Sequence, residues 1–189
     1  MTRLASCRPI LLRSQTTILY ASSSAGLWHP TCAKAIFMVD PMGKISCSIH
    51  QCMLLTRNNS TWFNDLPLLP ASPKVSTVTV RGSSRLDAVS FKLASGATFT
   101  HGGSGGNAAS LTLGSGEYLT SAKLCWDKYD NNTRNFYVLL TTSTLRTVTT
   151  GKTTGNCATA TAPTGFGIVG MYGRAGDEVD ELGWIYAKQ

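Results

Sequence analysis

Acidic side chains lie in short polar turns at two places in this 189-residue chain. One turn is residues 83–87, which end in Asp87, and the other is residues 176–180, which end in Asp180. A carboxylate in such a turn can accept hydrogen bonds from two neighbouring hydroxyl groups, while adjacent backbone amides donate to the same molecule. The terminal turn (residues 176–180) is therefore a candidate for binding a polyhydroxylated ligand. Residues 83–87 are called the first acidic turn below.

Catalytic uses of the same acids are less well supported. Residues 177–181 are close neighbours, whereas the two carboxylates of a glycosidase must face each other across the substrate. A calcium loop needs more oxygen ligands at alternating positions and a distal Glu, which this run lacks. No nucleophile elbow occurs, and we interpret His101 as a turn residue rather than a catalytic base. We expect a protein that is not an enzyme and holds neither a cofactor nor a metal.

Two glycine patterns, residues 103–108 and 165–170, fit the dinucleotide-binding fingerprint. That fingerprint works only where a helix follows, because the helix N-terminus meets the pyrophosphate. Both patterns here continue into alternating polar and apolar residues, which favours strands. We therefore reject the nucleotide interpretation.

The net charge of +7 is concentrated in the first third of the chain, since residues 1–61 hold six Lys and Arg but one acid. The remaining residues hold 11 basic and nine acidic side chains, with no basic cluster among aromatic residues. A nucleic-acid partner is therefore not expected.

Residues 1–61 show no sustained period of 2 or 3.6, and their apolar stretches are too short for a membrane span. We predict that they form a poorly ordered or artefactual extension. Cysteine and histidine residues there could bind zinc, but their spacing matches no recognised site: Cys32, Cys47, His50 and Cys52. Sequons at Asn58, Asn59 and Asn131 favour secretion, although no clear signal peptide precedes them. Whether Cys125 and Cys157 pair is left open.

From Lys74 onward, polar and apolar residues alternate with a period of two, which predicts strands. Four apolar sets would each share one face: Val89, Phe91 and Leu93; Tyr118, Ala122, Leu124 and Trp126; Phe136, Val138 and Leu140; Leu182, Trp184 and Tyr186. No helical pattern competes. We predict an all-β domain over residues 62–189.

A weak internal repeat supports this domain. Residues 82–91 resemble residues 174–184, and residues 129–138 form a looser copy with Asn135 in the place of the acid. Three near-equal units predict a threefold arrangement of small antiparallel sheets, in which no unit can bury its apolar face alone. The Asn135 unit is expected to be structural.

Taken in order, the Asp87 strand, the glycine loop (residues 102–106), Gly116-Glu117-Tyr118-Leu119 and the closing G-x-x-x-D of the terminal turn resemble the jacalin-related lectins. The resemblance covers residues 62–189 and implies a β-prism of three four-stranded antiparallel sheets. It also implies a lectin for mannose/glucose-type glycans or glycoproteins, with several sites or subunits providing useful affinity. No covalent chemistry is implied.

The resemblance implies that the amides of Asp177 and Glu178 donate to the sugar and that Asp180 accepts from its 4- and 6-hydroxyls. A second pairing joins Asp87 to the glycine loop, with Ser83 in the place of the usual leading Gly or Asp. The implied binding residues are Gly176, Asp177, Glu178, Val179, Asp180, Ser83, Asp87, Gly102, Gly103, Gly105 and Gly106.

One departure affects the terminal turn. The family pairs it with a Gly-Gly turn near the first strand, and residues 57–63 contain no glycine. The alternative is a degenerate prism that acts as a protein-interaction or structural module, in which Asp87 and Asp180 only stabilise turns.

Overall fold

The computed structural model of the protein describes residues 60–189 and three short strands before them, β1 (Tyr20–Ser23), β2 (Phe37–Val39) and β3 (Ile45–Cys47). The rest of the extension predicted for residues 1–61, including Cys32, His50, Cys52 and the sequon residues Asn58 and Asn59, lies outside the described residues. A short 3-10 helix at Leu66–Leu68 follows β4. The remaining strands are β4 (Thr61–Asn64), β5 (Val75–Gly82), β6 (Leu86–Leu93), β7 (Thr98–Gly102), β8 (Asn107–Thr112), β9 (Leu119–Tyr129), β10 (Asn132–Thr142), β11 (Thr147–Gly151), β12 (Asn156–Thr161), β13 (Phe166–Ala175) and β14 (Val179–Lys188).

The domain is all-β, as predicted, and its strands pair antiparallel. One sheet has the order β7-β6-β5-β8. A second, eight-stranded sheet contains two sets, β11-β10-β9-β12 and β1-β14-β13-β4, joined through the single pair Ile168 and Leu119. One β-hairpin, β5–β6, β9–β10 or β13–β14, therefore lies at the centre of each set of four strands. Strands β2 and β3 pair with each other in a separate two-stranded sheet.

The apolar faces that the alternation predicted in β6 and β14 both lie in the core. Val89, Phe91 and Leu93 are buried, whereas Ser90 and Lys92 between them are partly or fully exposed. The Trp184 ring stacks on Phe91, with 6.2 Å between ring centroids. Burial of such apolar surface is the main contribution that holds the sheets together.

In β9 the predicted face is partly wrong. Ala122 and Leu124 are buried as expected, but Leu119 is in the core and Tyr118 lies before the strand, partly exposed. A register irregularity opposite Leu119, between Thr141 and Thr142, breaks the period of two. Such a shift cannot be read from alternation alone.

The repeat also carries a shared β-bulge, and it corrects the assignment of Asn135. The register skips one residue after Leu86 and after Val179, which leaves Asp87 and Asp180 in the bulges. In β10 the skipped residue is Phe136, so Phe136 and not Asn135 stands where the other units carry an acid. The expectation that this unit lacks the acid still holds, one residue further along.

Cys125 and Cys157 form a disulfide between directly paired positions of β9 and β12. Within the described part of the chain, no helix has the length and apolar character needed to cross a membrane.

Candidate functional site

The glycine loop crosses the first acidic turn at the backbone of Asp87. The amide of Gly103 donates to the Asp87 carbonyl at 3.0 Å. Gly102 has φ +106°, and a Cβ there would lie 2.0 Å from the same carbonyl oxygen. Only glycine permits both this backbone conformation and this close approach.

The loop glycines also leave space against the Asp87 carboxylate. A Cβ on Gly105 would lie 3.0 Å from Asp87 Cγ and Oδ1, and one on Gly106, at φ +58°, would lie 2.6 Å from Oδ2. No hydrogen bond to this carboxylate is found among residues 60–189. Asp87 is partly exposed, so its oxygens can accept from a ligand.

Burial raises the pKa of Asp87 above its ordinary value, and the nearby Glu178 adds to the effect. Arg85 and Arg81 lower it in opposition. The site therefore combines one partly desolvated acid with two nearby arginines and two glycines, Gly105 and Gly106, that border the carboxylate.

Arg81 holds the glycine loop from below, a role that the sequence analysis did not identify. Its Nε donates to the Gly105 carbonyl at 3.1 Å, and one terminal nitrogen donates to the carbonyls of Ser104 and Gly106 at 2.9 and 3.0 Å. Arg81 is paired with Ala88, next to the Asp87 bulge. Arg81 reaches the loop only because of the way the strands pair. No local sequence motif could therefore have revealed this contact.

The first acidic turn is closed by its own backbone. The Ser83 amide donates to the Arg85 carbonyl at 3.3 Å, and Ser83 itself is exposed. The Arg85 side chain leaves the turn, donates from Nε to Glu178 at 2.7 Å, and lies 4.0 Å from the centre of the Tyr129 ring. The first acidic turn is thereby tied to the terminal turn and to the β9–β10 hairpin.

In the terminal turn the acid that was predicted to bind a ligand already has protein partners. A terminal nitrogen of Arg134 lies 2.9 Å from Asp180 Oδ1, and Ser60 donates to the same carboxylate. Asp180 is 8% exposed. Burial raises its pKa, and the contacts with Ser60 and Arg134 oppose that shift.

The other residues of the terminal turn contact neighbouring groups of the same chain. The Gly176 amide donates to the Glu178 carbonyl at 3.0 Å, and the buried Val179 accepts from the Asn135 amide group at 3.2 Å. Asp177 is exposed, and its carbonyl would lie 2.4 Å from a Cβ on Gly103. The terminal turn therefore packs directly against the glycine loop.

His101 was predicted to be a turn residue, and this prediction is wrong. It lies in β7 opposite Val89, with its Nε2 2.7 Å from the Asp65 carboxylate and its ring stacked 3.7 Å from that of Phe63. Asp65 also accepts from the Met171 amide at 2.9 Å and is 1% exposed. The contact between His101 and Asp65 connects the residue that precedes the glycine loop to the segment that follows β4.

Groups of three or more His, Cys, Asp or Glu side chains that could hold a metal do not occur in residues 60–189. The side chains of the zinc candidates in the extension lie outside the described residues.

The β-domain described above also matches a known protein family. The model of the jacalin-like lectin domain family matches residues 60–185, and the chain belongs to this family. Its members are lectins, a class that is generally non-catalytic.

Solved structures share the fold at low identity. The wild-type Malaysian banana lectin is 23% identical with a TM-score of 0.59, covering 71% of this chain and 93% of its own. A mannose-binding jacalin-related lectin from Ananas comosus is 24% identical with a TM-score of 0.58, covering 70% and 92%. The Calsepa lectin, solved with a biantennary N-glycan, is 24% identical with a TM-score of 0.56, covering 71% and 91%.

Proposed function

We propose that this protein is a lectin that binds mannose/glucose-type glycans at the Asp87 carboxylate and the glycine loop, without covalent chemistry. The observation that carries the proposal is the open Asp87 carboxylate, bordered by two glycines whose Cβ positions would lie within 3.0 Å of it. Two neighbouring hydroxyl groups of a pyranose can donate to such an acid. The amides of the glycine loop can donate to the sugar's other oxygens.

The terminal turn is a weaker candidate in this chain. A sugar there would have to compete with Arg134 and Ser60 for the Asp180 carboxylate. Separating the buried acid Asp180 from its cation costs more than displacing water from Asp87. We therefore expect the first acidic turn to be the principal site and the terminal turn to contribute little.

Valency and location complete the proposal. The three sets of four strands in equivalent order support a β-prism with pseudo-threefold symmetry. A shallow polar site holds a monosaccharide with a free energy of about 4 kcal/mol, corresponding to a roughly millimolar Kd, so useful affinity requires several subunits or repeated glycan ends. The disulfide supports a secreted protein, because such bonds persist in oxidising compartments.

The second candidate is a prism without a sugar site that serves as an interaction or structural module. The ion pair between Arg134 and Asp180 favours it for the terminal turn, since it stabilises that turn and occupies its acid. The Asp87 carboxylate does not have such a partner among the described residues, which favours the lectin for the first acidic turn.

Titration of the full chain with methyl α-mannoside tests whether the protein is a lectin or a prism without a sugar site. Asp87→Asn keeps the shape but loses the charge, and we expect its Kd to rise about tenfold or more. Asp180→Asn should bind almost as the wild type does, and Asp130→Asn, at an exposed hairpin tip, is the matched control. A wild type that binds no mannoside or glucoside, or an Asp87→Asn variant with unchanged affinity, would contradict the proposal.

A further inference from the structure

We propose that Arg81 is the positioning residue of the candidate sugar site, because it fixes the direction in which the glycine loop presents its amides. The inference rests on the proposed function and adds to it a residue outside both turns. Arg81 would touch no part of the sugar.

The contacts of Arg81 are concentrated on one short segment. Its guanidinium donates to three successive carbonyls, those of Ser104, Gly105 and Gly106, at 2.9, 3.1 and 3.0 Å. Glycine-rich backbone is otherwise free to sample many conformations, and fixing it costs entropy. A planar guanidinium that engages three carbonyls limits that freedom before any ligand arrives.

The direction of the carbonyls determines the direction of the amides. The peptide bonds of the loop are trans, so each N–H points opposite to the carbonyl of the residue before it. With the carbonyls of Ser104 and Gly105 turned toward Arg81, the amides of Gly105 and Gly106 point away from it. Both glycines are exposed, and both border the Asp87 carboxylate.

Arg81 also acts on the acid through its charge. The charged groups that influence Asp87 are Glu178, which raises its pKa, and Arg85 and Arg81, which lower it. Loss of Arg81 should therefore raise the pKa of Asp87 further. Because the ionised acid is the acceptor, sugar binding would then fail at a higher pH on acidification.

The lysine variant separates geometry from charge. Arg81→Lys keeps the positive charge but cannot engage three carbonyls with one planar group. We expect it to weaken binding while leaving the pH at which binding fails close to that of the wild type. Arg81→Met should weaken binding and also move that pH upward.

The experiment is a methyl α-mannoside titration of the wild type, Arg81→Met, Arg81→Lys and the charge control Lys92→Met, followed by NMR between pH 3 and pH 7. Lys92 is exposed on β6. For Arg81→Met we expect a Kd raised about tenfold, or about 1.4 kcal/mol, with shifted amide signals of Gly105 and Gly106 in the sugar-free protein. Lys92→Met should match the wild type.

Three outcomes would overturn the inference, and each has a different consequence. Binding in the wild type with unchanged Kd and loop amides in Arg81→Met would refute the role of Arg81 alone. Absence of binding in the wild type would refute the proposed function and the role together. Should Arg81→Met fail to fold, Arg81→Lys carries the test, and wild-type affinity in that variant would overturn the inference.

Discussion

Gly105→Ala tests whether the space beside Asp87 is the space that a ligand occupies. The added methyl would lie 3.0 Å from Asp87 Cγ and Oδ1, closer than ordinary van der Waals contact. It would cover the face of the carboxylate that, under the proposed function, two sugar hydroxyls approach. Loss of one hydrogen bond to a charged group costs about 1.5 to 3 kcal/mol, a large part of the roughly 4 kcal/mol expected for a millimolar monosaccharide site.

The matched control is Gly155→Ala, because a Cβ at Gly155 would meet nothing within 4 Å. Isothermal titration with methyl α-mannoside should give at least a tenfold higher Kd for Gly105→Ala and an unchanged Kd for Gly155→Ala. Thermal unfolding should be nearly the same for both, since the Gly105 methyl meets a partly exposed side chain that can move. Wild-type affinity in Gly105→Ala would refute the assignment of this space to the sugar.

Three further predictions concern stability and pH. Replacing Cys125 and Cys157 by Ser should lower the free energy of unfolding by about 3 to 4 kcal/mol, because the disulfide closes a loop between residues 32 apart. An unchanged denaturation midpoint would contradict this prediction. Mannoside binding should decline on acidification at a pH above the ordinary pKa of an Asp, since burial raises the pKa of Asp87, and a titration series across pH 3 to 6 measures this. Burial also raises the pKa of Glu181, so the fold loses stability as the pH rises through this raised pKa and the side chain ionises. Glu181→Gln should therefore unfold at a higher temperature than the wild type at pH 7. The two unfolding temperatures should become equal at low pH, where Glu181 is protonated.

The all-β architecture could be predicted because burial follows the period of two where the strands are regular. In β6, Val89, Phe91 and Leu93 are buried as the alternation required. The prediction failed at irregularities: Leu119 replaces Tyr118 in the core, and the bulge residue of β10 is Phe136. A bulge shifts the alternation by one residue, and its position depends on the partner strand rather than on the local sequence.

The candidate site, too, could be predicted from the sequence only in part. The proximity of Asp87 to the glycine loop could be predicted because the resemblance pairs an acid with glycines at these positions. The engagement of Asp180 by Arg134, and of the loop carbonyls by Arg81, could not be predicted, because both arginines come from other strands. Such long-range partners decide which acid is open to a ligand.

A crystal structure of the full chain soaked with methyl α-mannoside would examine the sugar site most directly. The geometry predicts a pyranose with two hydroxyl oxygens in hydrogen-bond distance of the Asp87 carboxylate and a ring or hydroxyl oxygen facing the amides of Gly105 and Gly106. A mannoside bound at Asp180 with Arg134 displaced, and none at Asp87, would contradict it.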